Sequence, residues 1–364
     1  MRILIYLGHP AQYHFFKNAI KQLKRDNHEV RILIKTKDIL EQLLNEDGVE
    51  HTNIQEKFRK NTKWGILRAS LSRTHKMRRI IHEFKPDIML GTDSSIAQAG
   101  WELRVPAITT LEDDEDVLKI FAKLTYPFST DILVPTVCRV GRWEHKKIGY
   151  NGYMKLAYLH PNYFTPNEEV VKGYGITKQF ILIRLAKLVA HHDENIKGLD
   201  SSLVDKIISI AQANDFDVYI SAETNLDERF KKYQLNIKLA DIHHVLSHAS
   251  LFVSDSQSMS MEASMLGTPN IRFSDFSGRI SVLEELENAY GLTMGIKTDN
   301  PKRLIDETTK LLGQKDLKEI FQKRKEAMLH DKIDVTAFLV WFIENYPESK
   351  KIMTTNPNHQ YQFK

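Results

Sequence analysis

Residues 251–269 read LFVSDSQSMSMEASMLGTP, and this stretch decides the fold. The apolar run 251–253 predicts a buried β-strand, and the small polar residues after it predict a turn and then a helix capped by Ser256. The first backbone N–H groups of such a helix have no partner within it. Together with the helix dipole they form an anion site suited to a diphosphate. Glu262 lies further along the same helix, where its carboxylate can accept hydrogen bonds from both vicinal hydroxyls of a ribose. The alternative is an ordinary capped helix with a surface glutamate.

Short apolar strands alternate with helical segments on both sides of this stretch. The expected strands are 3–7, 30–34, 88–90, 107–109, 132–134, 180–183, 217–220, 251–253 and 270–273. Continuous apolar strands that alternate with helices are typical of βαβ units and a buried parallel sheet. The sequence therefore predicts an α/β protein with two doubly wound halves, in which ligands bind outside the carboxyl ends of the strands.

Glycines, prolines and tyrosines interrupt the alternation near the middle of the chain. We therefore expect an N-terminal Rossmann-like domain over 1–150, an interdomain linker over 151–166 and a C-terminal Rossmann-like domain over 167–330. The apolar helix within 331–345 is expected to pack back on the N-terminal domain. The polar residues 346–364 are expected to form a flexible tail.

Composition and charge exclude several classes of protein. The 364 residues are 42% hydrophobic and 27% charged, which is typical of a soluble globular chain and not of a disordered one. The 51 basic and 47 acidic residues give a net charge of +4 without a dominant basic block, so no nucleic-acid partner is expected. No window approaches the ~18–20 apolar residues of a membrane span, and the N-terminus does not resemble a signal peptide. A cytoplasmic location is expected.

The sequence predicts neither a metal site nor a resident cofactor. The single cysteine, Cys138, excludes a disulfide framework and a cysteine-based zinc site within the chain. His244 and His248 lack the glutamate of a zincin helix. The first strand is not followed by G-x-G-x-x-G, and no G-x-x-x-x-G-K-[ST] occurs. The dinucleotide oxidoreductase and P-loop nucleotidase hypotheses therefore lose their main support.

Three polar segments follow strands in the first half, at 8–14, 91–95 and 110–116. His9 or His14 is a candidate general base, although His14 can equally be a helix residue that packs locally. Asp93 is also a candidate, because it follows the carboxyl end of a predicted strand, where ligands bind in a doubly wound domain. Asp113 lies in a run of carboxylates, whose mutual repulsion can raise one pKa and produce a base. For most members of that run, a solvated loop at a helix start is the more common explanation.

In the second half, the strand that contains Arg184 is followed by the polar cluster 189–195, which includes His191. These side chains can orient a phosphate or protonate a leaving group. The alternative is a solvated loop, because adjacent residues do not face one another in a regular element.

The basic and partly apolar segment 60–73 is the candidate for a weak peripheral contact with an anionic membrane face. A core-packed amphipathic helix with solvated lysines and arginines is the favoured explanation of the same pattern.

Two segments resemble signatures of UDP-N-acetylglucosamine 2-epimerases. Residues 254–263 resemble T-D-S-G-G-x-Q-E-E-A, and residues 189–195 resemble V-T-x-H-R-x-E-N. Over roughly residues 1–345 the chain is similar to a prokaryotic family of unknown function whose members are described as GT-B-like glycosyltransferases. The segments that carry this second resemblance are 8–16, 254–269 and 276–292.

The resemblance implies a GT-B fold, with two Rossmann-like domains facing a central cleft and a nucleotide-sugar site in the C-terminal half. Carried over by position, Ser256 and Ser258 meet the phosphates and Glu262 meets the ribose. Gln257 and Ser258 replace the two glycines of the epimerase signature. The remaining nucleotide-sugar-binding candidates are Arg184, His191, Gln257 and Arg279.

The function implied is that of a metal-independent glycosyltransferase in surface polysaccharide synthesis. It would move a sugar from a nucleotide diphosphate sugar, UDP-linked by resemblance, to a glycan or lipid-linked acceptor, in the cytoplasm or at the inner face of the membrane. The alternative is a UDP-N-acetylhexosamine 2-epimerase, but the epimerase acid–base positions differ here. His9-Pro10 replaces a Gly-Thr-Arg start, and Tyr126–Ser129 supplies no carboxylate. The third hypothesis is a non-catalytic nucleotide-sugar-binding protein. The sequence predicts no oligomeric state.

Overall fold

The computed structural model describes residues 1–35, 39–55, 63–186, 198–222 and 225–364, and of residues 63–71 only the backbone. The described chain forms two compact units, Met1–Tyr163 together with Lys332–Lys364, and Phe164–Asp331. Each unit contains a parallel β-sheet and helices. The predicted doubly wound α/β fold is therefore confirmed in both halves.

The first unit contains a seven-stranded sheet within the described residues, in the order β3-β2-β1-β4-β5-β6-β7. Its strands are β1 (Arg2–Leu7), β2 (Glu29–Lys35), β3 (Thr52–Gln55), β4 (Ile88–Gly91), β5 (Ala107–Thr110), β6 (Asp131–Pro135) and β7 (Lys147–Tyr150). Its helices up to residue 163 are α1 (Pro10–Arg25), α2 (Leu40–Glu46), α3 (Lys63–Phe84), α4 (Ser94–Leu103), α5 (Lys119–Thr125) and α6 (Leu156–Leu159), with a 3₁₀ helix at Gly141–Lys146. The strand order reverses between β1 and β4, where a doubly wound sheet opens a crevice at its carboxyl edge.

The second unit contains a five-stranded sheet, again within the described residues, in the order β12-β11-β10-β8-β9. Its strands are β8 (Phe180–Leu185), β9 (Asp217–Ala222), β10 (Leu251–Ser254), β11 (Asn270–Phe273) and β12 (Met294–Ile296). Its helices are α7 (Glu168–Gly173), α8 (Ser201–Ala213), α9 (Ile242–His248), α10 (Gln257–Leu266), α11 (Ser281–Asn288), α12 (Pro301–Leu312) and α13 (Leu317–Asp331), with 3₁₀ helices at Glu228–Tyr233 and Leu239–Asp241. The reversal of strand order lies between β8 and β10.

Continuous apolar strands explain why both sheets are buried. Ile3 to Leu7 in β1 and Leu251 to Val253 in β10 are fully buried, as expected for strands with helices over both faces. Polar residues at the carboxyl ends then cap the following helices. His9 caps α1, Asp93 caps α4 and Ser256 caps α10. The edge of each sheet that can receive a ligand is therefore lined by turns and helix N-termini.

The unit boundaries differ from those expected from the sequence. The predicted linker 151–166 belongs mostly to the first unit, which extends to Tyr163. The chain returns to that unit at Lys332, and α14 (Val335–Glu344) packs against α1 and α6.

The expected flexible tail over 346–364 instead forms α15 (Glu348–Thr355) and a 3₁₀ helix at Pro357–Phe363. Gln360 is buried, and its Oε1 accepts a hydrogen bond of 2.6 Å from the Asn151 backbone N–H. Tertiary hydrogen bonds of this kind hold a segment whose polar composition alone predicts disorder.

The described helices include none that is long and apolar enough to cross a membrane. The predicted peripheral membrane segment 60–73 lies largely outside the described residues, because its first three residues and the side chains up to 71 are not described. Its last residue, Arg73, is buried and donates a hydrogen bond of 2.7 Å to Gln55 Oε1.

Candidate functional site

The helix α10 follows the carboxyl end of β10 after a short turn. This end of β10 lies beside β8, where the strand order reverses. Ser254 Oγ accepts a hydrogen bond of 2.7 Å from the Ser256 N–H, and Ser256 Oγ accepts one of 3.4 Å from the Met259 N–H. The backbone N–H groups of Gln257 and Ser258 have no hydrogen-bond partner among the described residues. Two N–H donors at the positive end of a ten-residue helix are able to donate hydrogen bonds to an anion.

Asp255 links β10 to β8 across the reversal of strand order. Its Oδ1 accepts a hydrogen bond of 2.7 Å from the Ala186 N–H, which follows the end of β8. A Cβ on Gly198 would lie 2.7 Å from Asp255 Oδ2. Asp255 therefore binds the chain where the described part of β8 ends, and it lies close to Gly198, where the described chain resumes. His191 lies within that segment, at a position outside the described residues.

Arg184 and Arg279 lie on opposite sides of β10. Arg184 in β8 is half-buried, and its Nη1 donates a hydrogen bond of 2.6 Å to Ser221 Oγ in β9. Arg279 follows β11 and is exposed, with its guanidinium 5.3 Å from the centre of the Phe276 ring. Arg184 thus lies near the carboxyl end of β8, and Arg279 follows the carboxyl end of β11. These two strands are the neighbours of β10 in the second sheet.

The alternative interpretation of this helix predicts that Glu262 is a surface residue, and the structure shows that it is not. It is buried, and its Oε2 lies 3.5 Å from Nε2 of His243, which is also buried. The His243 ring has its centre 6.0 Å from that of Phe164. The pairing with His243 of α9 therefore holds the Glu262 carboxylate of α10 in a defined position.

The sequence analysis did not identify three residues of this region as candidates. They are Asp255, His243 and Arg272. Arg272 is fully buried in β11, and its Nη1 donates a hydrogen bond of 3.0 Å to Gln257 Oε1. An arginine within the apolar strand 270–273 is the signal that identifies it, because a buried charge requires partners. His243 and Asp255 become visible only through their tertiary contacts.

In the first unit, His9 and His14 lie at the start of α1. His9 Nδ1 accepts a hydrogen bond of 3.2 Å from the Ala11 N–H, which places the proton of the neutral ring on Nε2. His14 is half-buried, and its ring centre lies 5.1 Å from that of Tyr158. Both rings lie within the first turns after β1.

Asp93 is engaged by several donors and cations. Its Oδ1 accepts hydrogen bonds from the Ser95 N–H and Oγ at 3.0 and 2.6 Å. Lys35 Nζ lies 3.4 Å from Asp93 Oδ2, and Arg73 Nη2 lies 3.5 Å from Asp93 Oδ1. Burial alone raises the pKa of Asp93, but Arg73, Lys35 and Ser95 hold it below its usual range. Asp93 is therefore a poor proton acceptor.

Asp113 has the opposite electrostatic environment. Burial and the adjacent Glu112 together raise the pKa of its carboxyl to about 6, although Lys155 opposes the rise. Glu112 is buried with its Oε1 2.5 Å from Lys155 Nζ, and its Oε2 accepts a hydrogen bond from the Met154 N–H. Among the first-unit carboxylates that the sequence singled out, Asp113 has the pKa best suited to a general base at neutral pH.

His9, Asp93 and Asp113 follow the neighbouring strands β1, β4 and β5. The fold thus places them at the same edge of the first sheet. The described residues contain no group of three or more His, Cys, Asp or Glu side chains that could hold a metal ion.

Several solved structures are similar in fold to this chain. The UDP-GlcNAc 2-epimerase from Neisseria meningitidis bound to UDP-GlcNAc has a TM-score of 0.66 at 14% identity, over 91% of this chain and 99% of that chain. S. aureus MnaA in its co-structure with UDP has a TM-score of 0.67 at 15% identity, over 96% and 97%. The spinosyn rhamnosyltransferase SpnG with spinosyn aglycone has a TM-score of 0.62 at 14% identity, over 95% and 100%. The chain therefore has the GT-B fold that these structures share.

The chain belongs to the DUF354 family, described as a protein of unknown function, whose profile matches residues 1–336. The sequence-based similarity to a GT-B-like family of unknown function related to UDP-GlcNAc 2-epimerases is thereby confirmed. No curated protein matches the chain in sequence.

Proposed function

We propose that this protein is a glycosyltransferase that uses a nucleotide diphosphate sugar. The observation that carries the proposal is the pair of N–H groups at the start of α10 that lack a hydrogen-bond partner among the described residues, beside the reversal of strand order between β8 and β10. Structures of the same fold with UDP-GlcNAc or UDP bound support a nucleotide diphosphate as the anion. The acceptor we propose is a glycan or lipid-linked saccharide, used in the cytoplasm or at the inner membrane face for surface polysaccharide synthesis.

The second unit binds the donor in this proposal. The N–H groups of Gln257 and Ser258 hold the diphosphate, Ser256 fixes the turn, and Glu262 accepts hydrogen bonds from the ribose. As the bond between the sugar and the diphosphate breaks, negative charge grows on the leaving oxygen. Fixed N–H donors and the helix dipole stabilise that charge without a metal ion. Arg184, His191 and Arg279 are proposed to add positive charge near the donor.

The first unit supplies the base in this proposal. Asp113, with a pKa of about 6, is largely ionised at neutral pH and can still accept a proton from an acceptor hydroxyl. His14 and His9 are the next candidates, and Asp93 is the weakest because its cationic partners stabilise its ionised form. The acceptor oxygen then forms the new bond to the anomeric carbon, and the nucleoside diphosphate leaves.

A UDP-N-acetylhexosamine 2-epimerase is the second candidate. The TM-score of 0.66 to the UDP-GlcNAc 2-epimerase from Neisseria meningitidis, against 0.62 to the rhamnosyltransferase, supports it. Such an enzyme removes the proton at C2 of the sugar and eliminates UDP before re-adding it. It therefore incorporates deuterium at C2 in heavy water, which proton NMR detects and which simple transfer does not produce.

The test is incubation of the purified protein with UDP-, GDP- and dTDP-linked sugars, with and without saccharide acceptors. Acceptor-dependent release of a nucleoside diphosphate supports transfer, and deuterium at C2 supports epimerisation. Nucleotide binding by calorimetry without turnover of any donor supports a non-catalytic binding protein. Absence of both binding and turnover contradicts all three.

A further inference from the structure

Arg272 is the most deeply buried charged side chain near the proposed anion site. It lies in β11, paired in register with Ser254 of β10 and Gly295 of β12, and its side chain is fully buried. Burial of a guanidinium is costly unless partners compensate for the lost water. The partners of Arg272 therefore indicate what it does.

The guanidinium contacts groups on two sides. Nη1 donates a hydrogen bond of 3.0 Å to Gln257 Oε1. Nη2 lies 3.4 Å from Glu287 Oε2 and 3.7 Å from Glu284 Oε1, both on α11. A Cβ on Gly295 would lie 2.8 Å from Nη2, so glycine leaves the room that this arrangement needs. The two glutamates fix the arginine on the α11 side, and its other nitrogen holds the glutamine.

Gln257 is the first residue of α10, and its amide is bound at both ends. Its Oε1 accepts from Arg272, and its Nε2 lies 3.5 Å from the Asp255 carbonyl oxygen. Arg272 belongs to β11, whereas the reversal of strand order lies on the other side of β10, toward β8. The side chain of Gln257 is therefore turned away from the side on which Asp255 contacts Ala186.

We propose that Arg272 is a positioning residue for the anion site. It holds the Gln257 side chain toward β11, so that the N–H groups of Gln257 and Ser258 remain open to a diphosphate. Released from Arg272, this side chain can fold over the helix N-terminus and compete for the same N–H groups. The arrangement explains how the two N–H groups stay accessible although the glutamine side chain stands beside them. The inference rests on the proposed function for the identity of the anion.

The test is a rescue experiment with UDP affinity measured by calorimetry. Arg272→Met keeps the length of the side chain and removes its donors, and we expect it to weaken UDP binding by about tenfold or more. The double variant R272M/Q257G removes the released side chain but keeps both N–H groups, so it should bind UDP more tightly than R272M. A purely structural role for Arg272 predicts that the double variant binds as weakly as the single one, and that result would overturn the proposal.

A second comparison avoids altering the buried arginine. Gln257→Leu and Gln257→Gly both lack an acceptor that could occupy the N–H groups, so both should bind UDP more tightly than R272M, while affinities as weak as that of R272M would contradict the proposal. Arg229→Met is the matched control, because Arg229 is an exposed arginine of the same unit that pairs with Asp205. Its UDP affinity should match that of the unaltered protein. Thermal melting of each variant verifies that it is folded.

Inorganic pyrophosphate as a second probe separates this inference from the proposed function. If the protein binds pyrophosphate but not UDP, and Q257G rescues pyrophosphate binding in R272M, the positioning role stands and the nucleotide-sugar function fails. If UDP binds tightly and Q257G gives no rescue, the positioning role alone fails. If neither probe binds, both fail.

Discussion

Glu262 and His243 form a buried pair in the second unit, with Glu262 Oε2 3.5 Å from His243 Nε2. Each side chain is about one-tenth exposed. A carboxylate at this degree of burial needs a partner to remain ionised, and the imidazole N–H can supply one. The pair therefore keeps an acceptor oriented in α10, the helix whose N-terminus forms the proposed anion site.

Glu262→Ala is expected to weaken UDP binding by on the order of 1.5–3 kcal/mol, because a charge-assisted hydrogen bond to the ribose is lost. Calorimetry with UDP and with 2′-deoxy-UDP measures the effect. The unaltered protein should prefer UDP, and the variant should lose most of that preference. Glu262→Gln, which keeps the size of the side chain, serves as the control. An unchanged preference in both variants would show that Glu262 serves only as the partner of His243.

Asp113→Asn is expected to stabilise the fold while it lowers activity. The folded-state pKa of about 6 lies above the unfolded value of 3.8, so the folded protein holds this proton more tightly. The ionised carboxylate therefore reduces stability as pH rises through this range, by up to about 3 kcal/mol at neutral pH. The amide removes that cost and also removes the proposed base. Chemical denaturation at pH 7 and transfer assays measure the two effects.

The pH dependence distinguishes this explanation from a general packing effect. The stability gain of Asp113→Asn should be full once the pH lies well above 6, should fall as the pH drops from 6 toward 3.8, and should vanish only well below pH 3.8, where the aspartate is protonated in both the folded and the unfolded state. A gain that is independent of pH, or a variant with full activity, would contradict a base role for Asp113. Glu169→Gln, on the exposed surface of α7, is the matched control and should change neither property.

Lys155→Met is expected to destabilise the first unit by about 3–5 kcal/mol, because it leaves the buried Glu112 without its counter-ion. Lys155 Nζ lies 2.5 Å from Glu112 Oε1, with side-chain exposures of 5% and 10%. Lys172→Met is the control, since Lys172 pairs with Glu168 at the surface and should change stability by less than about 1 kcal/mol. Urea denaturation of both variants gives the comparison, and equal losses would be inconsistent with a buried Glu112–Lys155 pair.

Lys350→Met tests whether residues 346–364 are docked on the first unit. Asp131 is buried in β6, where its Oδ1 lies 2.6 Å from Lys350 Nζ and its Oδ2 accepts a hydrogen bond of 2.9 Å from the Tyr346 hydroxyl. Loss of the lysine should cost about 1–3 kcal/mol. The adjacent Lys351 pairs with the exposed Glu348, so Lys351→Met should be nearly neutral. If the two variants melt at the same temperature, the tail is not docked in solution.

The alternation of apolar strands and helices predicts the parallel sheets because both faces of such strands are covered by helices. The same reasoning identifies Ser256 as the cap of α10, since cap chemistry depends on residues within one turn. It fails for 346–364, where Asp131, Asn151 and Asp334 supply the partners from distant parts of the chain. It also cannot rank Asp93 against Asp113, whose local sequences are both acidic or polar.

The sequence by itself determined the two α/β halves, nine of the twelve described strands and the helix N-terminus proposed to hold a diphosphate, because these depend on periodicity and on neighbours within a few residues. Tertiary structure alone decided that Asp93 is held ionised by Arg73 and Lys35 while the pKa of Asp113 rises to about 6. It also decided that Gln257 is turned aside by Arg272. Burial and charge at these positions come from residues far apart in the chain, and only folding brings them within a few ångströms.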